Sequence, residues 1–141
     1  MLSYIWPIAL VILSNIVYHI CAKSAPESMN PFASLTVIYA IGAVVSAVLY
    51  YALNKGGSLI REYAHLNWTS VALGIAIVGL EAGFLYAYKA GWPVSTAQIV
   101  QSSVLAIALL IVGFLLYHEP LNVRKVIGVL ICMVGLYFIN R

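Results

Sequence analysis

Five apolar stretches, each close to the length of a membrane-crossing helix and parted by short polar breaks, constrain this chain more than any other feature. A helix needs about 20 mostly apolar residues to cross a hydrocarbon core about 30 Å thick. The pattern predicts spans at about residues 3–22, 32–53, 68–88, 93–117 and 123–139. Pro26 and Pro31, then Asn54-Lys55-Gly56-Gly57, then Gly91-Trp92-Pro93, then His118-Glu119-Pro120 supply the breaks, each rich in residues that stop a helix or start a turn. Residues 58–67 hold Arg61, Glu62 and His65 and read as a link lying at the interface. Trp6, Trp68 and Trp92, with many of the tyrosines, fall near span ends, where amphipathic rings meet the headgroups. Composition agrees: only 8% of the 141 residues are charged, against about 25% in soluble domains, too few to coat a water-facing surface. Hydrocarbon accepts no unpaired backbone group, so such segments are helical. The expectation is an all-α, polytopic bundle of five transmembrane helices, a single domain over residues 1–141, multi-pass in the cell membrane.

The same composition excludes several functions. The net charge of +3 is dispersed, and no run of Lys or Arg exists that could track phosphates, which argues against nucleic acid. Cys21 and Cys132 sit far apart in apolar stretches and read as small hydrophobes, not as a redox pair or metal site. No GxSxG, HExxH, P-loop or close carboxylate pair is present, so neither an enzyme nor a cofactor is expected. No basic residue precedes the first apolar stretch, which reads as a retained helix and not a cleaved leader. Basic residues divide almost evenly between the two sides, with Lys55, Arg61, Arg124 and Lys125 on one and Lys23, Lys89 and Arg141 on the other. That weak bias allows insertion in either orientation.

Polar residues inside the spans mark the candidate site. Glu81 lies near the middle of the third span, where an acid costs at least about 2.5–3.5 kcal/mol. A carboxyl that takes and releases a proton there can trade protons against a cationic substrate; the alternative is a neutral acid bonded to a neighbouring helix. At helical spacing its face includes Val78, Leu85 and Tyr88. Gly79 and Gly83 form GxxxG on another face of this helix and read as packing positions, as do Gly128 and Gly135 in the fifth span. The first span carries Asn15, Tyr18, His19 and Lys23, with Asn15, His19 and Lys23 on one face. These groups either line a cavity, with His19 holding a proton or meeting Glu81, or bond one another and the backbone. Lys23 reads as a side chain reaching for the headgroups. Gln98, Gln101 and Ser102 open the fourth span and either line a site or join helices. Glu119, just before the fifth span, reads as an anchor at that helix's positive end.

The run Gly113-Phe114-Leu115-Leu116-Tyr117-His118-Glu119-Pro120-Leu121-Asn122, continuing through Gly128 to Gly135-Leu136-Tyr137, resembles the end of an EamA domain of the drug/metabolite transporter superfamily. His118 stands where that family usually has Gly, and Ser102-Ser103 stand where it often has a proline. Pro93 with Ser95-Thr96-Ala97 also resembles the family's fourth helix. The resemblance implies a transporter, with two five-helix units in inverted orientation around a cavity; this chain supplies one unit. Inverted repeats meeting at the midplane build many alternating-access transporters. The expected assembly is therefore an antiparallel homodimer, or a heterodimer with a related half. The expected activity is proton-coupled export of a small metabolite or cationic compound. Two other readings remain open. One is a flippase for a lipid-linked headgroup, with Lys23, Lys89 and Arg124 meeting phosphate. The other is a membrane subunit that stabilises a partner.

Overall fold

A computed structural model describes residues 2–120 and 122–139. Leu121, Asn140 and Arg141 lie outside the described residues, as do the side chains of Lys125 and Leu136, so the interface charges expected of Lys125 and Arg141 have no structural account. The described chain is helical: α1 (Leu2–Lys23), α2 (Pro31–Leu53), the short α3 (Leu59–Tyr63), α4 (Trp68–Lys89), α5 (Val94–Tyr117) and α6 (Val123–Ile139). Four of these, α1, α2, α4 and α5, are long and apolar enough to cross a membrane. The fifth expected span is the 17-residue α6, about 26 Å at 1.5 Å per residue, with its shorter apolar run at Val126–Gly135.

The breaks behave as their residues dictate. Asn30 caps α2, its Oδ1 accepting from Phe32 N at 2.9 Å, with Pro31 in the first turn, where its missing N–H costs nothing. Asn67 caps α4 by accepting from Thr69 N at 3.0 Å, and Asn122 caps α6 by accepting from Arg124 N at 3.1 Å. The α6 cap is thus Asn122. Pro93 sits just outside α5 as its N-cap. Gly91 turns the chain between α4 and α5 at φ 95°, a left-handed conformation that glycine adopts without steric cost.

The chain divides into two compact units, residues 1–90 and 91–141. In the first, α4 packs against both α1 and α2. Its small core is Leu35 on α2 with Ala82 and Leu85 on α4, flanked by Ala22, Ala25, Tyr39 and Val78. The buried residues of this unit, His19, Pro31, Leu35, Ala82, Leu85 and Tyr88, all lie toward the end of these helices that carries the 24–30 connection. In the second unit α5 packs on α6. Most large apolar side chains on every long helix are exposed, Ile5, Val44, Leu73 and Leu116 among them. In water that pattern would be ruinous; in a bilayer it is the surface offered to lipid or to other helices.

Candidate substrate cavity

The first unit contains a cavity of about 490 Å³ between α1 and α2, with α4 as its floor. Tyr18, Cys21 and Ala22 line it from α1, Leu35 and Ile38 from α2, and Glu81 and Leu85 from α4. Glu81 reaches it because the 100° step of a helix sets Ala82 and Leu85 into the α2 contact while turning Glu81 to the gap beside it. The Tyr18 hydroxyl from α1 and the Tyr39 hydroxyl from α2 both lie within electrostatic reach of the Glu81 carboxylate, and of each other. Glu81 Oε2 and the Tyr18 hydroxyl are shielded from solvent without a hydrogen-bond partner among the described residues, while the Tyr39 hydroxyl, also shielded, lies at the edge of bonding reach of the Glu81 carboxyl. A buried polar atom left unbonded costs about 1–3 kcal/mol. Polar atoms left open at one spot are where a polar guest can bond.

A second polar cluster stands beside the first. His19 Nδ1 and the Tyr88 hydroxyl are 2.7 Å apart, and both residues are only 5% exposed. The Tyr18 and Phe84 rings meet the His19 ring edge-on at 5.0 and 4.8 Å. Tyr18 therefore leans on His19 with its ring while its hydroxyl serves the Glu81 cavity. Lys23 Nζ donates to the Tyr88 carbonyl at 3.3 Å and sits 5.7 Å from the centre of the Tyr88 ring. Lys23 thus reaches back onto the end of α4 instead of standing free at the headgroups. Lys89 Nζ donates to the carbonyls of Glu27 at 2.7 Å and Met29 at 2.5 Å, fastening the 24–30 connection to α4. Both cations bond backbone carbonyls, Lys23 at the C-terminus of α4, where positive charge is favoured, and Lys89 in the connection between α1 and α2.

The other sequence candidates fall elsewhere. Asn15 is exposed and does not line the cavity, so of the expected face of α1 only His19 is buried. Gln98, Gln101 and Ser102 form a chain on α5 in the second unit: Gln98 Nε2 donates to Ser102 Oγ at 3.2 Å, and Ser102 Oγ to Gln101 Oε1 at 3.3 Å. A Cβ added at Gly79, Gly83, Gly128 or Gly135 would meet nothing within 4 Å. Within the long helices the tight glycine is Gly113, buried on α5, where an added Cβ would lie 3.3 Å from Glu119 Oε2. Sequence reasoning passed over Tyr39 and Gly113. Tyr39 had a usable signal, being a tyrosine well inside a span and away from the headgroup belt.

The α5–α6 unit has its own groove of about 630 Å³, lined by Gly113, Tyr117, Glu119, Gly128 and Cys132 among others. Glu119 packs against Gly113 at its rim. His118 ends α5 in the left-handed region, φ 52° and ψ 31°, and its N–H and that of Glu119 both reach the Gly113 carbonyl. The position where the resembled family prefers Gly is therefore a left-handed helix stop, which Gly fills without a steric penalty.

No curated protein and no solved structure matched the chain. A family model did, over residues 1–141. The apolar helices, the acid-bearing cavity and that match over the whole sequence together place the chain in the EamA-like transporter family.

Proposed function

We propose that this membrane transporter moves a small metabolite or cationic compound by proton-coupled export, with Glu81 as the group that exchanges proton for substrate. The observation that carries this reading is the cavity carboxyl, flanked by two tyrosine hydroxyls and lacking any hydrogen-bond partner for Oε2. An intramembrane acid aimed into a cavity is costly unless it works on an ion or a substrate. Tyr18 lines the cavity beside it, Tyr39 reaches the carboxyl from α2, and the His19–Tyr88 pair holds Tyr18 in place. Asn15 is assigned to the wider path by which substrate reaches or leaves Glu81, and Gln98, Gln101 and Ser102 to a polar path of the second unit.

In this reading α6 is the fifth span, slightly short for the hydrocarbon and accommodated by local thinning. The complete transport cavity then needs a second five-helix unit in inverted orientation, supplied by a second copy or a related half. Gly79, Gly83, Gly128 and Gly135, bare of contacts within their own chain, offer faces on which helices can approach closely. The headgroup-flippase reading is the weaker one, since Lys23 and Lys89 are committed to backbone carbonyls.

The test is flux. Protein reconstituted in liposomes under an imposed pH gradient is challenged with small cations, amino acids and neutral metabolites while internal pH is followed. Substrate-dependent proton movement is expected in the wild type and should vanish in Glu81→Gln. Movement that survives the substitution removes Glu81 from the mechanism.

A further inference from the structure

The Glu81 cavity carries more chemical information than the presence of an acid. Its lining holds one carboxylate and no cationic side chain. Lys23 is not among the lining residues, and it donates to the Tyr88 carbonyl instead. The Ser24 hydroxyl at the rim is also spent, donating to Ile20 O at 2.9 Å. A carboxylate or phosphate brought in by a ligand would find no positive partner, so anions are disfavoured and zwitterions lose half of their recognition. What the cavity does offer is the Glu81 carboxyl and the Tyr18 hydroxyl in its lining, with Glu81 Oε2 and Tyr18 Oη shielded and without a hydrogen-bond partner among the described residues. Outside the lining, the Tyr39 hydroxyl lies within bonding reach of the Glu81 carboxyl, where it can donate to the acid and still accept from a guest. The remainder of the wall is mostly apolar or aromatic, Leu35, Ile38, Ala22 and Leu85 with the Tyr18 ring, and it also carries the Ser34 hydroxyl and the Cys21 thiol.

Three acceptors, one of them anionic, match a group with a positive charge and three N–H donors. A primary ammonium has both. A quaternary ammonium has the charge and no donor, and would leave both phenol oxygens as they stand. An alcohol has a donor and no charge. We propose that the cavity selects a primary amine on an apolar body, its –NH3⁺ held by Glu81, Tyr18 and Tyr39 and its hydrocarbon lying along Leu35, Ile38 and Leu85. This rests on the transporter reading of the same cavity, and adds the class of substrate.

The experiment is calorimetric titration of the full chain in lipid nanodiscs, with empty nanodiscs subtracted. The probes are n-hexylammonium, n-hexyltrimethylammonium, n-hexanol and n-hexanoate, which share one tail and differ in the head. Hexylammonium should bind at least about tenfold more tightly than its trimethyl analogue, because hydrogen bonds to a charged group are each worth about tenfold or more. Hexanol and hexanoate should bind more weakly still. The preference for the primary head should shrink by about tenfold in Tyr18→Phe and in Tyr39→Phe, changes that keep the rings and remove only the hydroxyls. Equal or tighter binding of the trimethyl head, or no binding of hexylammonium, overturns the proposal. The wild-type series decides this by itself if either variant fails to fold. Flux measured beside it separates the two ideas: quaternary-driven proton movement that needs Glu81 would sink the amine preference and leave the transporter standing.

Discussion

Removing the hydroxyl of Tyr88 tests whether the α1–α4 contact is held by one specific bond. Tyr88→Phe deletes the partner of His19 Nδ1, 2.7 Å away, and leaves in place the ring that meets Phe84 at 5.9 Å and Lys23 at 5.7 Å. Interhelical hydrogen bonds within membranes average about 0.6 kcal/mol, with a maximum of about 1.7, because the separated helices also find partners. This bond is short, and both residues are 5% exposed, so its coupling belongs in the upper part of that range, about 1–1.7 kcal/mol. The single change Tyr88→Phe should cost about 1–3 kcal/mol, because it also strands a buried ring nitrogen. The coupling comes from a double-mutant cycle of His19→Leu, Tyr88→Phe and the pair, followed by detergent-induced unfolding in mixed micelles. The cycle cancels whatever else His19 touches. Additivity within about 0.3 kcal/mol, the error expected of independent sites, would refute the pair as a structural unit. It would also remove the argument that His19 positions Tyr18 over the cavity.

Replacing the left-handed His118 with Gly should stabilise the protein by about 0.5–1 kcal/mol, since a side chain in that conformation costs about 1–2 kcal/mol and part of the gain is lost to the freer unfolded chain; a lower thermal midpoint would contradict this. Lys89→Met should cost about 1–2 kcal/mol by stripping the charged donor from the Glu27 and Met29 carbonyls, and proteolysis in nanodiscs should cut the 24–30 connection faster. Cleavage at the wild-type rate would show that Lys89 does not hold it. Gly79→Ala and Gly83→Ala should leave the single copy as stable or more so, by up to about 1 kcal/mol each from helix propensity, because no atom stands within 4 Å of the added Cβ. Energy transfer between labelled copies in liposomes should fall in the same variants, and undiminished transfer would remove those glycines from any interface.

The sequence by itself determined the solvent, four of the five expected membrane-length helices, the breaks between the segments and the family, the fifth segment being the shorter α6. Those properties reside in local runs: hydrocarbon tolerates only helices, and about 20 apolar residues are needed to cross it. It also placed Glu81 as the costly group. It did not determine which groups would surround that acid. Helical periodicity fixes which residues share a face of one helix, and says nothing about how that helix is rotated against its neighbours. Thus Asn15, His19 and Lys23 share a face by spacing, yet the packing of α1 on α4 buries His19 and leaves Asn15 exposed. Tyr39 joins Glu81 only because α2 lies against α4 at Leu35 and Leu85. Lys23 and Lys89, which look alike as span-end cations, are set by tertiary contact to cap the Tyr88 carbonyl and the 24–30 connection. Among the glycines of the long helices, Gly113 is the close one because Glu119 folds onto it, while GxxxG faces outward. Spacing along one chain carries rotation within a helix; the azimuth between helices is a property of side-chain packing among all of them, and only the folded unit holds it.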